Sequence, residues 1–577
     1  MTTKLHRGPR TPMTRTCTLL LAIALAAPAA ALPAQGLDPA VLLRPATDAW
    51  PSYAGDYTQR RFSILTQIDT SNVRHLSLAW VLRLTAGPGG DGGFGRGAPT
   101  ITGGVTDEPV TIPGSSSGPP RLSGSILQVN GILYISSPDN AWAVDALDGH
   151  VIWHYWWKSR GATHIGNRGM AMYGDWLFFE TPDDYLVSLD AKTGQERWHK
   201  EISDFEQQYF STTAPMVVGN HVLVGTGDDL DSPGFLQSFD PKTGDLQWKL
   251  YTVPMKKGDP GLETWASLDA AQHGGAQVWM AGSYDPETHL YIIGTGNPTP
   301  AYTAMLRAPK DVHTNLYTCA IVALNVDTGK IVWYYQTSPN DTHDWDSTQP
   351  AVLVDGTFQG KPRKMVIQAA RNGYFYVLDR VTGQHLLTSK YADAANWAAE
   401  INAKGQTVRN PEKDNTVAGS LVSPDNGGAT NWYPPSFDQK NGLLYVVLRE
   451  IYSMYYATTT DPRVMVGLGG SEQDNVGSLG TSIVAIDYQT GKLAWKYRLE
   501  GGGGATGLLT TTTGLLFAND GAGSLVAYGL RGRQPPTPLW HARIGSVENA
   551  PETYIVDGKQ YVLVTGEGGS VYAFYLQ

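Results

Sequence analysis

The sequence contains little cysteine. Only two cysteines, Cys17 and Cys319, occur among its 577 residues, and Cys17 lies in an N-terminal segment that we predict to be cleaved. The mature chain would then hold a single cysteine and no internal disulfide, and a chain of this length can bury a sufficient core without one. The sequence also lacks a CxxCH motif, so it carries no c-type haem of its own.

Charged residues are also scarce, and negative charge is in excess. They make up 17% of the chain, with 43 Lys and Arg against 53 Asp and Glu, for a net charge of −10. No basic run occurs after the first fifteen residues. Because nucleic-acid binding depends on clustered cations, this distribution argues against nucleic acid as a main partner.

The main apolar run is short. It covers the 13 residues 19–31, follows several cations and ends among small residues near Ala34. This pattern is typical of a secretory signal peptide and is too short to span a bilayer. A lipoprotein anchor would need its cysteine after the run, whereas Cys17 precedes it. We predict a signal peptide at residues 1–34 and a periplasmic mature chain without a transmembrane anchor at residues 35–577.

Aromatic residues and turn formers are abundant. The chain has 17 Trp, 29 Tyr, 65 Gly and 36 Pro. The aromatic content argues against disorder, and Gly and Pro without a collagen-like period indicate many tight turns. The composition predicts an all-β protein.

One segment recurs six times with fixed spacing: an apolar pair, Asp, three residues, Gly, three residues and Trp. Asn replaces Asp in the fourth copy and Leu replaces Trp in the fifth. The copies are AVDALDGHVIW, SLDAKTGQERW, SFDPKTGDLQW, ALNVDTGKIVW, VLDRVTGQHLL and AIDYQTGKLAW. The pattern predicts a strand that ends at Asp, a turn with Gly at positive φ, and a second strand that begins before Trp.

The spacing of the copies indicates a β-propeller. The first three copies are 45 and 50 residues apart, which fits one four-stranded blade per copy. Trp80 and Trp540 resemble incomplete first and last copies and bring the count to about eight blades. We therefore predict one eight-bladed β-propeller domain at residues 35–577. The repeat tryptophans are interpreted as packing between blades, and function is expected in the segments between the repeats.

Five segments outside the repeat carry unusual polar groups. They are THIGNRG with Arg168, GTGDDLDSPG with three Asp, VWMAGSYDPETHLYIIGTGNPTP with Trp279 and Asn297, TSPNDTHDWDSTQP with Asp341, Asp344 and Asp346, and AARNGYFYVLDR with Arg371.

Taken singly, these segments leave alternatives open. Arg168 could form a surface ion pair, and Asn297, which precedes a proline, could have only the structural role of forming a turn. The acidic turn at residues 228–231 could bind a hard cation or be solvated. The segment with Asp344 suggests metal coordination or a general base.

The order of these segments, together with the repeats, resembles the quinoprotein alcohol dehydrogenases. These are eight-bladed propellers that bind pyrroloquinoline quinone (PQQ) and a metal ion on the ring axis. The resemblance starts at WPSYAGDYTQRRFSILTQID and ends at APETYIVDGKQYVLVTGEGG, so it covers nearly all of the mature chain. Further matches are WYYQTSPNDTHDWD, RNGYFYVLDR, ETWASLDAAQHGGAQVW and IIGTGNPTP.

The resemblance assigns roles to nine residues. Asp344 matches the catalytic base, and Arg371 assists it. The implied metal ligands are Asp229, Asn297, Asp344 and Asp346, of which Asp346 matches the extra carboxylate of members that use lanthanides. The implied cofactor contacts are Arg168, Thr213, Trp279, Arg371 and Asn431.

The resemblance also implies an activity. It predicts a PQQ- and metal-dependent dehydrogenase that oxidises a small alcohol to an aldehyde or ketone and passes electrons to a separate c-type cytochrome or another acceptor. The ion would be Ca²⁺ or a lanthanide.

Three departures support a second hypothesis. Ala162 and Thr163 stand where many family members have two adjacent cysteines over one face of the quinone, Ser123 replaces a Glu, and Asp229 replaces another Glu. The chain could thus be a propeller that has lost the cofactor and acts as a binding or scaffold module. A third hypothesis is an outer-membrane assembly propeller, which would share the repeat but lack the carboxylates of the DWD segment.

Overall fold

The computed structural model describes residues 1–2, 36–88, 98, 100–112, 118–162, 164, 166–310, 312–459, 461, 467–502 and 506–577. Apart from its first two residues, the predicted signal peptide lies outside the described residues. The contacts of the chain divide it into two units, Met1–Ala34 and Gln35–Gln577, and every element below lies in the second unit.

Strands account for nearly all of the regular structure, as the composition predicted. The described residues include one short α-helix, Leu268–Gln272. Short 3₁₀ helices occur at Pro39–Leu43, Val73–His75, Phe205–Gln207, Leu262–Thr264 and Pro411–Lys413. None of the helices in the described ranges is long and apolar enough to cross a membrane.

The described strands form eight sheets of four or five strands and one two-stranded ribbon. We number the sheets in the order of their repeat motifs. Sheet 1 contains Leu76–Arg83, Ser570–Leu576, Lys559–Gly566 and Glu552–Val556. Sheet 2 contains Thr100–Gly104, Val151–Lys158, Asn140–Asp145, Ile132–Ser137 and Leu127–Val129. Sheet 3 contains Glu196–Glu201, Tyr185–Asp190, Trp176–Glu180 and Ala171–Tyr173. Sheet 4 contains Met216–Val218, His221–Gly225, Phe235–Phe239 and Leu246–Tyr251.

The other four sheets follow the same plan. Sheet 5 contains Ser283–Asp285, Leu290–Gly294, Ala320–Asn325 and Lys330–Gln336. Sheet 6 contains Val352–Phe358, Lys361–Ala369, Tyr374–Asp379 and His385–Lys390. Sheet 7 contains Ser420–Val422, Ser436–Asp438, Leu443–Ala457, Ser471–Asp487 and Leu493–Arg498. Sheet 8 contains Phe62–Ser63, Leu509–Thr511, Leu515–Asn519, Ser524–Arg531 and Gln534–Arg543. The ribbon is Ala398–Ile401 with Thr407–Arg409.

Each repeat motif forms the hairpin that the sequence predicted. In sheet 3, the Asp190 carboxylate accepts hydrogen bonds from the backbone N–H of Lys192 and of Thr193, at 3.1 and 2.8 Å. Gly194 closes the turn at φ +71°. The predicted positive φ is confirmed at Gly149, Gly194, Gly244, Gly329, Gly383 and Gly491.

The repeat tryptophans join each sheet to the next one. The Trp153 indole lies against Gly194 in the turn of sheet 3, and its Nε1–H donates to the carbonyl of Ala191 at 3.0 Å. The same donation occurs from Trp80 to Ala146, Trp198 to Lys242, Trp248 to Val326, Trp333 to Arg380, Trp495 to Gly532 and Trp540 to Leu76. Trp80 and Trp540, interpreted as incomplete copies, therefore make the contact of a complete one.

Sheet 6 makes this junction without a tryptophan. Leu387 replaces the indole and lies against Gly491 of sheet 7. The lost N–H donor is replaced by the Ser389 hydroxyl, which donates to the Gly491 carbonyl at 2.9 Å.

The core lies between neighbouring sheets. One apolar cluster joins sheets 3 and 4 through Phe178 and Phe239. Another joins sheets 7 and 8 through Tyr445 and Leu516. Sheet 1 pairs Leu76–Arg83 with Ser570–Leu576, so it combines an early and a late segment of the chain.

The contact between indole and glycine gives a stability prediction. A Cβ on Gly383 would lie 2.7 Å from the Trp333 ring, whereas a Cβ on Gly558 would meet no atom within 4 Å. Both glycines have nearly the same φ, +72° and +71°. Gly558→Ala should therefore cost only the strain of a left-handed residue, about 1 kcal/mol. Gly383→Ala should add an overpacking cost of about 1–3 kcal/mol.

Thermal unfolding of the two variants checks this prediction. We expect the midpoint of Gly383→Ala to fall clearly below that of Gly558→Ala. Equal midpoints would mean that the junction between sheets adapts to a methyl group without cost.

Candidate active site

The loops between the repeats surround a cavity of about 310 Å³. Eight of the nine residues selected from the sequence line it: Arg168, Asp229, Trp279, Asn297, Asp344, Asp346, Arg371 and Asn431. The other lining residues are His164, Phe210, Thr212, Asp228, Gln277, Trp432 and Leu468.

Most of these residues lie just before or just after a strand. Arg168 precedes the first strand of sheet 3, and Asn297 follows the strand Leu290–Gly294 of sheet 5. Arg371 lies in the turn between two strands of sheet 6. The sheets are rigid, so loops tied to them at both ends can hold functional side chains in place.

Arg371 joins the two carboxylates of the DWD segment. Its Nη1 lies 2.6 Å from Asp346 Oδ2 and its Nη2 lies 3.1 Å from Asp344 Oδ2. Its Nε donates to the carbonyl of Asn426 at 2.8 Å, which fixes the plane of the guanidinium. All three charged side chains are buried.

Burial and charge act against each other in this group. Burial raises the pKa of Asp344 and of Asp346 above the ordinary value of a carboxyl, and the positive charge of Arg371 offsets this rise only in part. Burial lowers the pKa of Arg371, but the two carboxylates outweigh it and raise that pKa above its ordinary value. Arg371 is therefore the group that favours the ionised form of the carboxylates.

Asp346 connects three further parts of the site. Its Oδ1 accepts a hydrogen bond from the backbone N–H of Asn297 at 2.6 Å, and its Oδ2 accepts one from Trp279 Nε1 at 3.1 Å. Together with the Arg371 contact, these bonds bring four residues selected from the sequence into one network.

Asp341 supports the DWD loop from outside the cavity. Its Oδ2 accepts hydrogen bonds from the backbone N–H of His343 and of Trp345, both at 3.1 Å. The Trp345 indole donates to the carbonyl of Asp425 at 2.9 Å. Asp344, between them, adopts φ +65°, which is uncommon for a residue with a side chain. The loop thus holds Asp344 in a conformation that would be costly without these supports.

Arg168 lies between two indoles. Its guanidinium carbon is 4.7 Å from the centre of the Trp279 ring and 5.5 Å from that of Trp432. Nη1 donates to the carbonyl of Thr212 at 3.0 Å, whereas the buried Nε has no hydrogen-bond partner. Burial lowers the pKa of Arg168 to about 10, which leaves it charged at neutral pH.

Thr213 does not line the cavity. Its hydroxyl donates to the carbonyl of Val278 at 3.4 Å, and its N–H donates to the buried Glu180 at 3.1 Å. Its neighbour Thr212 lines the cavity instead, and the Thr212 hydroxyl is buried without a partner.

The two adjacent carboxylates after sheet 4's second strand differ in burial. Asp228 is buried; one of its oxygens accepts the Ser232 N–H at 2.7 Å and the other has no partner. Burial raises the pKa of Asp228 to about 7. Asp229 is half exposed and lies 3.7 Å from Nδ1 of His164. The family resemblance pointed to Asp229 alone, and the sequence does not tell which of two adjacent carboxylates is buried.

Other lining residues were also missed. Gln277 precedes Trp279 by two residues, and its side-chain amide donates to the carbonyl of Ser232 at 2.8 Å. Trp432 directly follows Asn431, whose Oδ1 accepts the Trp432 backbone N–H at 2.8 Å. In the sequence, only their positions close to Trp279 and Asn431 pointed to Gln277 and Trp432 as site residues.

The residue set fits a planar anion and a hard cation. Trp279 offers a flat aromatic surface, and Arg168 retains an unpartnered buried N–H that a ligand oxygen could accept. Asp228 has an unpartnered carboxylate oxygen, and Asp229, Asn297, Asp344 and Asp346 add oxygen-bearing side chains around the same cavity. Oxygen donors of this kind are the ligands that Ca²⁺ and related hard ions prefer.

Comparison with known proteins finds the same family by a family model and by a sequence relative. Residues 50–406 match the PQQ family model described as glucose/ethanol/alcohol dehydrogenase, beta-propeller domain. The chain is 33% identical to quinohemoprotein alcohol dehydrogenase ADH IIB of Pseudomonas putida, over 96% of this chain and 78% of that protein.

Solved structures show the same fold. The crystal structure of quinohemoprotein alcohol dehydrogenase from Comamonas testosteroni aligns with a TM-score of 0.79 at 28% identity, covering 94% of this chain and 83% of that one. A europium-containing methanol dehydrogenase aligns with a TM-score of 0.75 at 24% identity, covering 92% and 98%.

The ion pairs of Arg371 give a second stability prediction, for the chain without cofactor or metal. Arg371→Met would leave two buried carboxyls without their cation, at a cost of about 3–5 kcal/mol at pH 7. Burial already raises the pKa of both carboxyls in the unsubstituted chain, and the loss of Arg371 would raise them further above the unfolded value of about 4. The folded variant would then hold protons at pH values at which the unsubstituted folded chain has released them, so its deficit in stability should grow as pH rises from about 4 to 7.

Thermal unfolding midpoints measured across this pH range test the prediction. The deficit of Arg371→Met relative to the unsubstituted chain should be small near pH 4 and large at pH 7. Lys200→Met, which removes an exposed partner of Asp245 at 3.7 Å, should show little change at any pH. A deficit of Arg371→Met that does not depend on pH would contradict the electrostatic explanation.

Proposed function

The chain belongs to the PQQ-dependent quinoprotein alcohol dehydrogenases and is an oxidoreductase of that type, and on this basis we propose that Asp344 is its general base in the oxidation of alcohols to aldehydes or ketones. The observation that carries the proposal is the buried contact of Arg371 with Asp344 and Asp346 beside Trp279. This contact places an oriented carboxylate next to an aromatic surface in a cavity.

The proposal includes the architecture. The eight sheets would be the eight blades of one closed ring at residues 35–577. The supporting observation is that indole contacts make seven of the eight junctions between successive sheets, with Leu387 and Ser389 making the other, and that Trp540 of sheet 8 donates to Leu76 of sheet 1. A closed ring leaves no long unpaired edge on the sheets.

The cavity residues divide into two groups. Trp279, Arg168, Arg371 and Asn431 would hold PQQ, and Thr212, which lines the cavity, would supply the hydroxyl contact that the sequence assigned to Thr213. The metal ion, Ca²⁺ or a lanthanide, would be held by Asp229, Asn297, Asp344 and Asp346. We add Asp228 to this set because its unpartnered oxygen is buried in the same cavity.

Oxidation of an alcohol to a carbonyl compound releases a hydroxyl proton together with two electrons. When bound, PQQ and the ion supply the two-electron oxidant and the Lewis acid that activates it. The Asp344 carboxylate would accept the hydroxyl proton. Arg371 would orient Asp344 through Nη2 and favour its ionised form, since its charge opposes the rise in the pKa of that carboxyl that burial causes.

The electrons would leave through a separate protein. The relatives named quinohemoproteins carry haem in their names, whereas these 577 residues contain no CxxCH motif. We propose a c-type cytochrome or another acceptor as the partner. The cation-rich start and short apolar run of residues 1–34 support export to the periplasm.

The rival scaffold hypothesis accounts less well for the site. Burying the charges of Arg371, Asp344 and Asp346 at one cavity costs free energy, and a scaffold would have no function that requires them there. The same carboxylates argue against an outer-membrane assembly propeller.

Reconstitution tests the function directly. The purified mature chain is mixed with PQQ and either Ca²⁺ or La³⁺, desalted, and assayed for retained quinone by absorbance and for dye reduction with a panel of alcohols. We expect retained cofactor and alcohol-dependent turnover. Loss of all quinone with both ions would favour the scaffold hypothesis.

Asp344→Asn should separate catalysis from binding. The amide keeps the size of the side chain but cannot accept the hydroxyl proton, so kcat should fall by about 10²- to 10⁴-fold. Retained quinone should change little. Asp148→Asn, in the exposed turn of sheet 2, is the matched control and should keep full activity. An Asp344→Asn variant with normal turnover would assign the base to another group.

Asp346→Asn should reveal which ion the site prefers. Removing a carboxylate weakens the attraction for a trivalent ion more than for a divalent one. We expect La³⁺-dependent quinone retention to need about tenfold more ion, with a smaller change for Ca²⁺. Equal losses for both ions would show that Asp346 acts through Arg371 and Trp279 rather than as a ligand.

A further inference from the structure

One part of the cavity wall has no role in the site described above. His164 and Phe210 both line the cavity, and their rings stack with centroids 4.6 Å apart and planes inclined by 24°. Neither residue was selected from the sequence. The pair presents aromatic surface in the same cavity as Trp279.

Phe210 is held by its backbone and by a glycine. Phe210 and Gly227 exchange two N–H···O=C hydrogen bonds, at 3.0 and 2.8 Å. A Cβ on Gly227 would lie 1.9 Å from the Phe210 ring, so no larger residue fits there without displacing the ring. Gly227 also directly precedes Asp228, which ties the ring to the carboxylate loop.

The Asp229 carboxylate lies near His164. Its Nδ1 lies 3.7 Å from Asp229 Oδ2, and half of its side chain, 51%, is exposed. A half-exposed residue that lines a cavity lies at its rim. His164 thus stands at the entrance, between the aromatic ring of Phe210 and the carboxylate of Asp229.

The position of His164 in the chain is informative. It follows Ala162 and Thr163, where the family resemblance places the two cysteines that cover one face of the quinone, and it precedes Arg168 by four residues. Ala162 has no group that could cover an aromatic ring. A planar imidazole can do so by stacking, and such contacts favour offset parallel or tilted rings.

We propose that His164, supported by Phe210, stacks on PQQ when the cofactor binds in this cavity. This inference rests on the proposed function, since it requires PQQ to bind in the cavity. It explains how a chain without the paired cysteines retains its cofactor.

Cofactor affinity, measured without turnover, tests the inference. The full-length purified chain is titrated with PQQ in saturating Ca²⁺, and the quenching of tryptophan fluorescence gives the Kd. We expect His164→Ala to raise the Kd about tenfold, which corresponds to the loss of one aromatic stacking contact. His164→Phe, which keeps a planar ring, should bind within about threefold of the unsubstituted chain.

Two controls keep the result interpretable. His150→Ala removes an exposed histidine that does not line the cavity and should leave the Kd unchanged. Thermal unfolding of His164→Ala should match that of the unsubstituted chain, because the residue is half exposed.

The outcomes separate the two proposals. If the unsubstituted chain binds PQQ and His164→Ala binds it equally well, the role of His164 is overturned and the proposed function stands. If His164→Phe is as weak as His164→Ala, stacking is overturned as the mechanism. If the unsubstituted chain binds no PQQ with Ca²⁺ or La³⁺, the proposed function fails and the role of His164 fails with it.

Discussion

The contact of an indole with a glycine turn is the interaction on which this structure depends. In five of the junctions the glycine has positive φ and no Cβ, so the indole of the preceding sheet lies directly against the backbone, and Trp495 and Trp540 keep the hydrogen bond to the next sheet. The indole N–H then reaches a carbonyl in the same turn, which satisfies a polar atom that packing would otherwise bury without a partner. Where the tryptophan is replaced by Leu387, Ser389 restores the hydrogen bond. The geometry of the junction is therefore kept even where its chemistry differs.

The junctions between sheets fix the strands, and the loops that join these strands keep three charged side chains buried in the cavity. Asp344 and Asp346 would be buried without a cation and would repel each other if their loops moved away from Arg371. The loops are instead fixed at both ends by strands, and Asp341 and Trp345 secure the segment from outside the cavity. The resulting site combines two buried carboxylates, a cation that favours their ionised form and an aromatic surface. That combination is what the proposed mechanism requires from the protein.

The acidic turn after sheet 4 shows how adjacent residues can take separate tasks. Asp228 is buried with one free oxygen, whereas Asp229 is half exposed beside His164. The first arrangement suits a cation ligand in a fixed position, and the second leaves the other carboxylate at the rim of the same cavity. In our proposal, the stacked pair of His164 and Phe210 takes the place of the paired cysteines.

The sequence by itself determined the repeat and its turns, because an apolar pair, Asp, Gly and Trp at fixed spacing fit few structures other than this hairpin. It also pointed to eight of the fifteen residues that line the cavity, through the resemblance of their segments to a known family rather than through any single residue. Only the tertiary structure decided between neighbours: Thr212 rather than Thr213 lines the cavity, and Asp228 rather than Asp229 is buried. The stacking of His164 on Phe210 was also invisible in the sequence. Adjacent residues in a loop have no fixed periodicity, so the packing of distant segments sets which side chain points inward.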